Sequence, residues 1–93
     1  MIRTFATTDT ERIWSGLRAK HLPGDIQKRA LDKLKLLNRA RGFEDLRNPP
    51  ANGLHALKKD RLGQYAISIN DQWRICFVWK DGNVYDVEIT DYH

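Results

Sequence analysis

The spacing of apolar residues changes once along this chain, and the change divides it. Up to about residue 42 they recur at helical intervals; from residue 54 they alternate with polar ones, the period of a half-buried strand. The chain opens on Ile2-Arg3-Thr4-Phe5, whose alternation predicts a short strand. Thr8 and Glu11 form a Thr-x-x-Glu capping pair, and Ile13, Trp14 and Leu17 supply the buried stripe of a first helix over residues 9–20. Gly16 and Leu22-Pro23-Gly24 limit it. A second helix is predicted over residues 25–41. Its inner face is Ile26, Ala30, Leu34 and Leu37, its edges are Leu31 and Leu36, and Gly42 is its C-terminal cap.

Residues 43–53 read as a connection. Phe43 and Leu46 anchor it as a single helical turn, and Asn48-Pro49-Pro50-Ala51-Asn52-Gly53 is turn chemistry. Strands are predicted over residues 54–58, 64–69, 73–79 and from Val84 onward. Tyr65, Ile67 and Ile69 share one face, as do Trp73, Ile75, Phe77 and Trp79, which leaves Arg74 on the other face with Cys76 and Val78. In the last strand Tyr85, Val87 and Ile89 face one way and Asp86, Glu88 and Thr90 the other. Asp81-Gly82 is a hairpin turn, and the other connections are equally short, so the strands form an antiparallel meander. The fold class is α+β: two N-terminal helices packed on a small twisted antiparallel sheet, in one domain over residues 1–93.

Composition changes this picture little. The 93 residues are 41% hydrophobic and 30% charged, ordinary values for a globular domain. No segment has the length of a membrane span or the apolar centre of a signal peptide, so no membrane partner and a cytoplasmic location are expected. The single cysteine, Cys76, excludes a disulfide framework and reads as a small core residue. Charge matters more. Sixteen Lys and Arg against twelve Asp and Glu give a net charge of +4, which suits a polyanionic partner. The second helix carries Lys28, Arg29, Lys33, Lys35, Arg39 and Arg41, a set that fits either a solvated face or a phosphate backbone. His21, near the end of the first helix, complements its dipole.

Candidate chemistry gathers in the strand half: His55, Lys58, Lys59, Arg61, Arg74, Asp91, Tyr92 and His93. No cofactor is called for, since the chain has no Gly-rich phosphate loop, no HExxH and no carboxylate cluster suited to Mg²⁺. RNA cleavage can proceed without metal because the 2′-hydroxyl is an internal nucleophile. It needs a base, an acid and positive donors on the developing phosphorane. Histidine serves for the first two, and Arg and Lys for the third. Plainer readings compete for each residue. Arg74 can bridge to Asp86 or Glu88, Lys58, Lys59 and Arg61 can be a solvated turn, His55 a strand histidine, and Asp91-Tyr92-His93 a frayed tail.

Leu54-His55-Ala56-Leu57-Lys58, then Asp60-Arg61-x-Gly63, then Asn70-Asp71-Gln72-Trp73-Arg74-Ile75, and finally Val87 through Asp91-Tyr92-His93 resemble the HigB-like toxins. These belong to the RelE/ParE superfamily of bacterial toxin–antitoxin modules. The resemblance extends to the opening residues and implies a microbial RNase-like fold. It also implies a ribosome-dependent endoribonuclease that cuts translated mRNA. The implied partner is a HigA-type helix-turn-helix antitoxin, with operator DNA met only through the antitoxin complex. By position, His55, Lys58, Arg74, Asp91, Tyr92 and His93 match the family's catalytic residues, and Lys59, Arg61 and Asn70 fall in RNA-binding places. Asn70 stands where some relatives have an arginine, which implies a weaker toxin. The ParE branch of the superfamily, which poisons DNA gyrase without catalysis, is the alternative.

Overall fold

A computed structural model describes residues 1–92 of the chain. Its elements in order are α1 (Thr8–Trp14), α2 (Gly24–Arg39), α3 (Phe43–Leu46), β1 (His55–Ala56), β2 (Tyr65–Ser68), β3 (Trp73–Lys80) and β4 (Asn83–Asp91). Single 3₁₀ turns at Pro50–Asn52 and Lys59–Arg61 flank β1. The sheet order is β1-β2-β3-β4, every pair antiparallel, as the short connections require. The tight turn from β3 to β4 places Asp81 at φ 53° and Gly82 at φ 77°, the left-handed pair that matches strand twist.

One face of the sheet carries the core. Ile67, Ile69, Ile75, Phe77, Val84, Val87 and Ile89 meet Ile13 of α1 and Ile26, Ala30, Leu34 and Leu37 of α2. All four predicted inner residues of α2 are buried, and Leu31 and Leu36 are partly buried at its edges, as their spacing predicts. Phe43 and Leu46 anchor α3. Leu46 is fully buried, and the Phe43 ring lies 4.8 Å from that of Tyr65 and 5.3 Å from that of Trp79.

The two predicted helices differ at their ends, for reasons of backbone and capping. The first helix stops at Trp14 rather than residue 20. Gly16 takes φ 82°, Leu17 N–H donates to Arg12 O at 2.8 Å and Gly16 N–H to Ile13 O at 3.0 Å, which closes the helix in a Schellman turn. Leu17 is therefore exposed rather than buried. Its N-cap is Thr7, not Thr8: Thr7 Oγ1 accepts from Thr10 N–H at 3.2 Å. Buried Thr10 in turn accepts Ile89 N–H of β4 at 3.0 Å, and this bond docks the helix on the sheet and sets its start. Gly42 does not cap α2, which ends two residues earlier where buried Ala40 turns extended; Gly42 instead precedes α3.

Among the described residues the N-terminal segment bridges β4 in parallel at two places, Ile2 to Val84 and Phe5 to Val87. Between them β4 bulges. Cys76 pairs with Glu88 but Val78 pairs with Tyr85, and Asp86 sits at φ 53°. Thr4 holds the bulge, its Oγ1 accepting Asp86 N–H at 2.8 Å and its carbonyl accepting Val87 N–H at 3.2 Å. The extra residue shifts the alternation, so Val84 joins Val87 and Ile89 in the core while Tyr85 is only partly buried. No helix among the described residues is long and apolar enough to cross a membrane.

Candidate active site

The opposite face of the sheet is not covered by helices, and the predicted chemistry lies there. Strand register sets two adjacent rows, because residues paired across antiparallel strands project to the same side. One row is Ser68, Arg74 and Thr90; the next is His55, Ala66, Cys76 and Glu88. Leu57, Ala66 and Cys76 form a small apolar patch beneath the polar groups.

Arg74 is the centre of the first row. Its guanidinium lies over the Tyr92 ring, 5.0 Å from the centroid. Its Nε is buried and has no hydrogen-bond partner among the described residues. Such an orphan donor costs about 1–3 kcal/mol. Arg74 does not bridge to Asp86 or Glu88. Asp86 is turned away by the bulge, and Glu88 is taken by Arg61, whose Nη2 lies 3.0 Å from Glu88 Oε1.

Tyr92 is held at three points. Its hydroxyl shares a 2.6 Å hydrogen bond with Ser68 Oγ, its N–H donates to Gln72 O at 2.9 Å, and its ring carries Arg74. Asp91 pairs with Trp73 at the start of β3 and accepts from Gln72 Nε2 at 3.1 Å. Asp91 closes β4 and Tyr92 is tied to the sheet by these bonds, so neither is a frayed tail. His93 lies outside the described residues.

His55 is exposed on the edge strand. Its Nδ1 is 2.8 Å from Gly53 O, and since a carbonyl only accepts, Nδ1 carries the proton and the neutral ring keeps its Nε2 lone pair free. Gly53 also approaches Ser68: at φ 59°, a Cβ there would stand 3.2 Å from Ser68 Oγ. Glycine is needed for both reasons, and it links the His55 strand to the Ser68–Tyr92 pair.

The basic turn divides. Lys58 and Lys59 are exposed, Lys59 at φ 55°. Arg61 is partly buried and spans from this turn to β4, donating to Gln64 Oε1 at 3.0 Å as well as to Glu88. Asn70 accepts Gln72 N–H at 2.9 Å and Trp73 N–H at 2.7 Å through Oδ1, so its carbonyl holds the β2–β3 turn and its NH₂ remains available. Burial pushes the Cys76 thiol up, with Arg74 and Arg61 opposing, which keeps it neutral at physiological pH and makes it a packing residue.

Geometry therefore unites Arg74 and Tyr92, with His55, Lys58, Lys59 and Arg61 on the bordering edge and turn, while the register places Asp91 with Trp73, on the other side of the strand from Arg74. Ser68 is the participant that the sequence did not single out. Glu88 was expected to meet Arg74 and instead meets Arg61, and Gln72 entered only as part of the motif from Asn70 to Ile75.

This helix-backed four-stranded sheet is the fold of the RelE-like toxins, the class that the family match defines. All of this chain aligns with 98% of a chain in the YoeB-YefM complex from Staphylococcus aureus, at a TM-score of 0.57 and 15% identity, a likeness of fold alone. The chain belongs to the HigB-like toxin family, described as the RelE-like toxin of type II toxin-antitoxin system HigB, which its residues 3–93 match. Among relatives, Toxin HigB-1 of Vibrio cholerae serotype O1 is 35% identical over 65 residues, covering 70% of this chain and 68% of that one. Endoribonuclease HigB of Proteus vulgaris is 29% identical over 93 residues and matches along the whole length of both. As a toxin of a type II system, the chain has an antitoxin for a partner.

Proposed function

We infer that the chain is an endoribonuclease that cuts translated mRNA in the ribosome by attack of the 2′-hydroxyl. The observation that carries this reading is the Arg74 guanidinium, braced on the Tyr92 ring and in no ion pair among the described residues. A phosphoryl oxygen is the acceptor this donor fits, and an arginine fork meets phosphate with two parallel bonds. In the reaction the 2′-oxygen loses its proton to a base and bonds to phosphorus. The bond from phosphorus to the 5′-oxygen breaks, and an acid protonates that oxygen, leaving a 2′,3′-cyclic phosphate.

Arg74 and Lys58 stabilise the added negative charge of the phosphorane. His93, assisted by Asp91, transfers a proton; the free Nε2 of His55 suits it to the complementary step. Tyr92 orients the RNA by stacking, and Lys59, Arg61 and Asn70 serve RNA binding. The HigB family membership favours this nuclease over gyrase inhibition, and the name of the Proteus vulgaris relative supports it. The toxin works in the cytoplasm. Its partner is a HigA-type helix-turn-helix antitoxin, through which alone it meets operator DNA.

The test is cleavage of mRNA on programmed ribosomes with mapped 5′ ends. Arg74→Ala is expected to lower the single-turnover rate by about 10²–10³-fold, the usual cost of one transition-state donor, and His93→Ala to lower it as well. Undiminished cutting by both variants would sink the assignment, and supercoiling inhibition without RNA cleavage would favour the gyrase reading.

A further inference from the structure

A cleft of about 330 Å³ opens beside the Arg74 cluster, between α2 and the β2–β3 turn. It is lined by Arg29, Ala51, Ser68, Asn70, Asp71 and Tyr92. Ser68 and Tyr92, joined by their 2.6 Å hydrogen bond, are therefore the wall shared by cleft and candidate active site. Across from them stands Arg29, which is exposed. The ion pairs of the described residues are Arg47–Glu44 and Arg61–Glu88, so Arg29 is not neutralised by either.

Asp25 and Asp32 lie four residues before and three residues after Arg29 on the helix, yet neither closes an ion pair with it among the described residues. One turn on lies Lys33, engaged with Asn52 Oδ1, and like charges four residues apart destabilise a helix. The two cations feel each other, since Arg29 helps lower the Lys33 pKa, after burial as the main cause. Asn70 spends its carbonyl on the turn and keeps an NH₂ donor for the cleft. The one acid in the lining, Asp71, is exposed. A guanidinium in no ion pair among the described residues, an amide donor and an aromatic wall make a nucleotide-shaped set of contacts.

We propose that this cleft seats the mRNA nucleotide next to the cleaved bond, with Arg29 on its phosphate and Asn70 and Tyr92 against its base. This rests on the RNA-cleaving reading and extends it beyond the Arg74 face. Arg29 binds and does not touch the reacting atoms. Arg29→Ala therefore acts on KM and leaves kcat unchanged, and its exposure lets the variant fold.

The experiment compares wild type, Arg29→Ala and Arg29→Lys on ribosomes programmed with mRNA that carries single methylphosphonates, which remove one phosphate charge at a time. Arg29→Ala is expected to raise KM about tenfold, as for loss of a charge-assisted bond, and to lower the log–log salt slope by about 0.7. Arg29→Lys restores part of both. One methylphosphonate beside the cleaved position reproduces the defect in wild type and adds nothing in Arg29→Ala. If instead every methylphosphonate adds to the Arg29→Ala defect, Arg29 meets ribosomal RNA and the mRNA subsite is refuted. Wild-type KM and salt slope in Arg29→Ala refute it too, as does a defect confined to antitoxin binding. Absence of cleavage by wild type overturns the nuclease reading instead. In that event the cleft is judged by the Arg29 Nε–H resonance on titration with a 2′-O-methyl trinucleotide, where no shift refutes it.

Discussion

The two faces of the sheet are built from the same strands by opposite rules. On the helix-covered face Ile67, Ile75, Phe77 and Val87 are fully buried, every one apolar and without a group left to satisfy. On the open face the same strands hold Ser68, Arg74 and Glu88 over a patch of only Leu57, Ala66 and Cys76. The first face is complete by itself. The second carries a buried guanidinium nitrogen that meets no acceptor among the described residues, a cost that the fold itself does not repay. Stability is thus concentrated on one side of a strand and function on the other, one residue apart in sequence.

The sharpest way to break this contrast is to truncate neighbours on opposite faces. Phe77→Ala leaves a cavity in the helix-covered core and is expected to cost about 3–5 kcal/mol in denaturant unfolding. Arg74→Ala, three residues away, removes an unsatisfied donor together with a cation–π contact, two effects of opposite sign. Its stability should stay within about 1 kcal/mol of wild type. A loss of several kcal/mol in Arg74→Ala would show that the open face is structural after all.

Much of the covered face was legible in the sequence, because burial imposes period. The spacing of Ile26, Ala30, Leu34 and Leu37 and the alternation in β3 are one-dimensional records of a packed surface. The end of α1 and the facing of β4 were not, because both follow from left-handed residues, Gly16 and Asp86, whose conformations period cannot report. The β4 bulge further depends on Thr4, 82 positions distant from Asp86. On the open face Arg74 was legible by alternation, and the family resemblance pointed to the residues around it. The pairing of Arg61 with Glu88 and of Ser68 with Tyr92 was not, since polar partners across strands leave no period of their own.

A smaller effect probes the polar bonds of the open face directly. Tyr92→Phe keeps the ring under Arg74 but loses the hydroxyl that meets Ser68, and is expected to cost about 0.5–1.5 kcal/mol. Ser68→Ala added to it should cost little more, because the pair acts as one unit. Full additivity of the two substitutions would show that their bond contributes nothing.

The faintest signature separates the faces by pH. Burial raises the Cys76 pKa above its usual 9.0, so in the alkaline range the folded protein holds a proton that the unfolded chain has released. That contribution is complete below 9.0 and is lost as pH rises through the folded value. Lys33, beside the helix layer, has the opposite sign. Burial lowers its pKa from 10.5, so the folded protein gives up a proton that the unfolded chain still binds, and stability gains as pH climbs toward 10.5. In wild type the two slopes oppose and partly cancel. Measuring unfolding of wild type and Cys76→Ala side by side from neutral to alkaline pH removes the Lys33 part. The stability advantage of wild type should shrink above about pH 9, and an advantage that stays constant would mean the thiol is no more buried than in the unfolded chain.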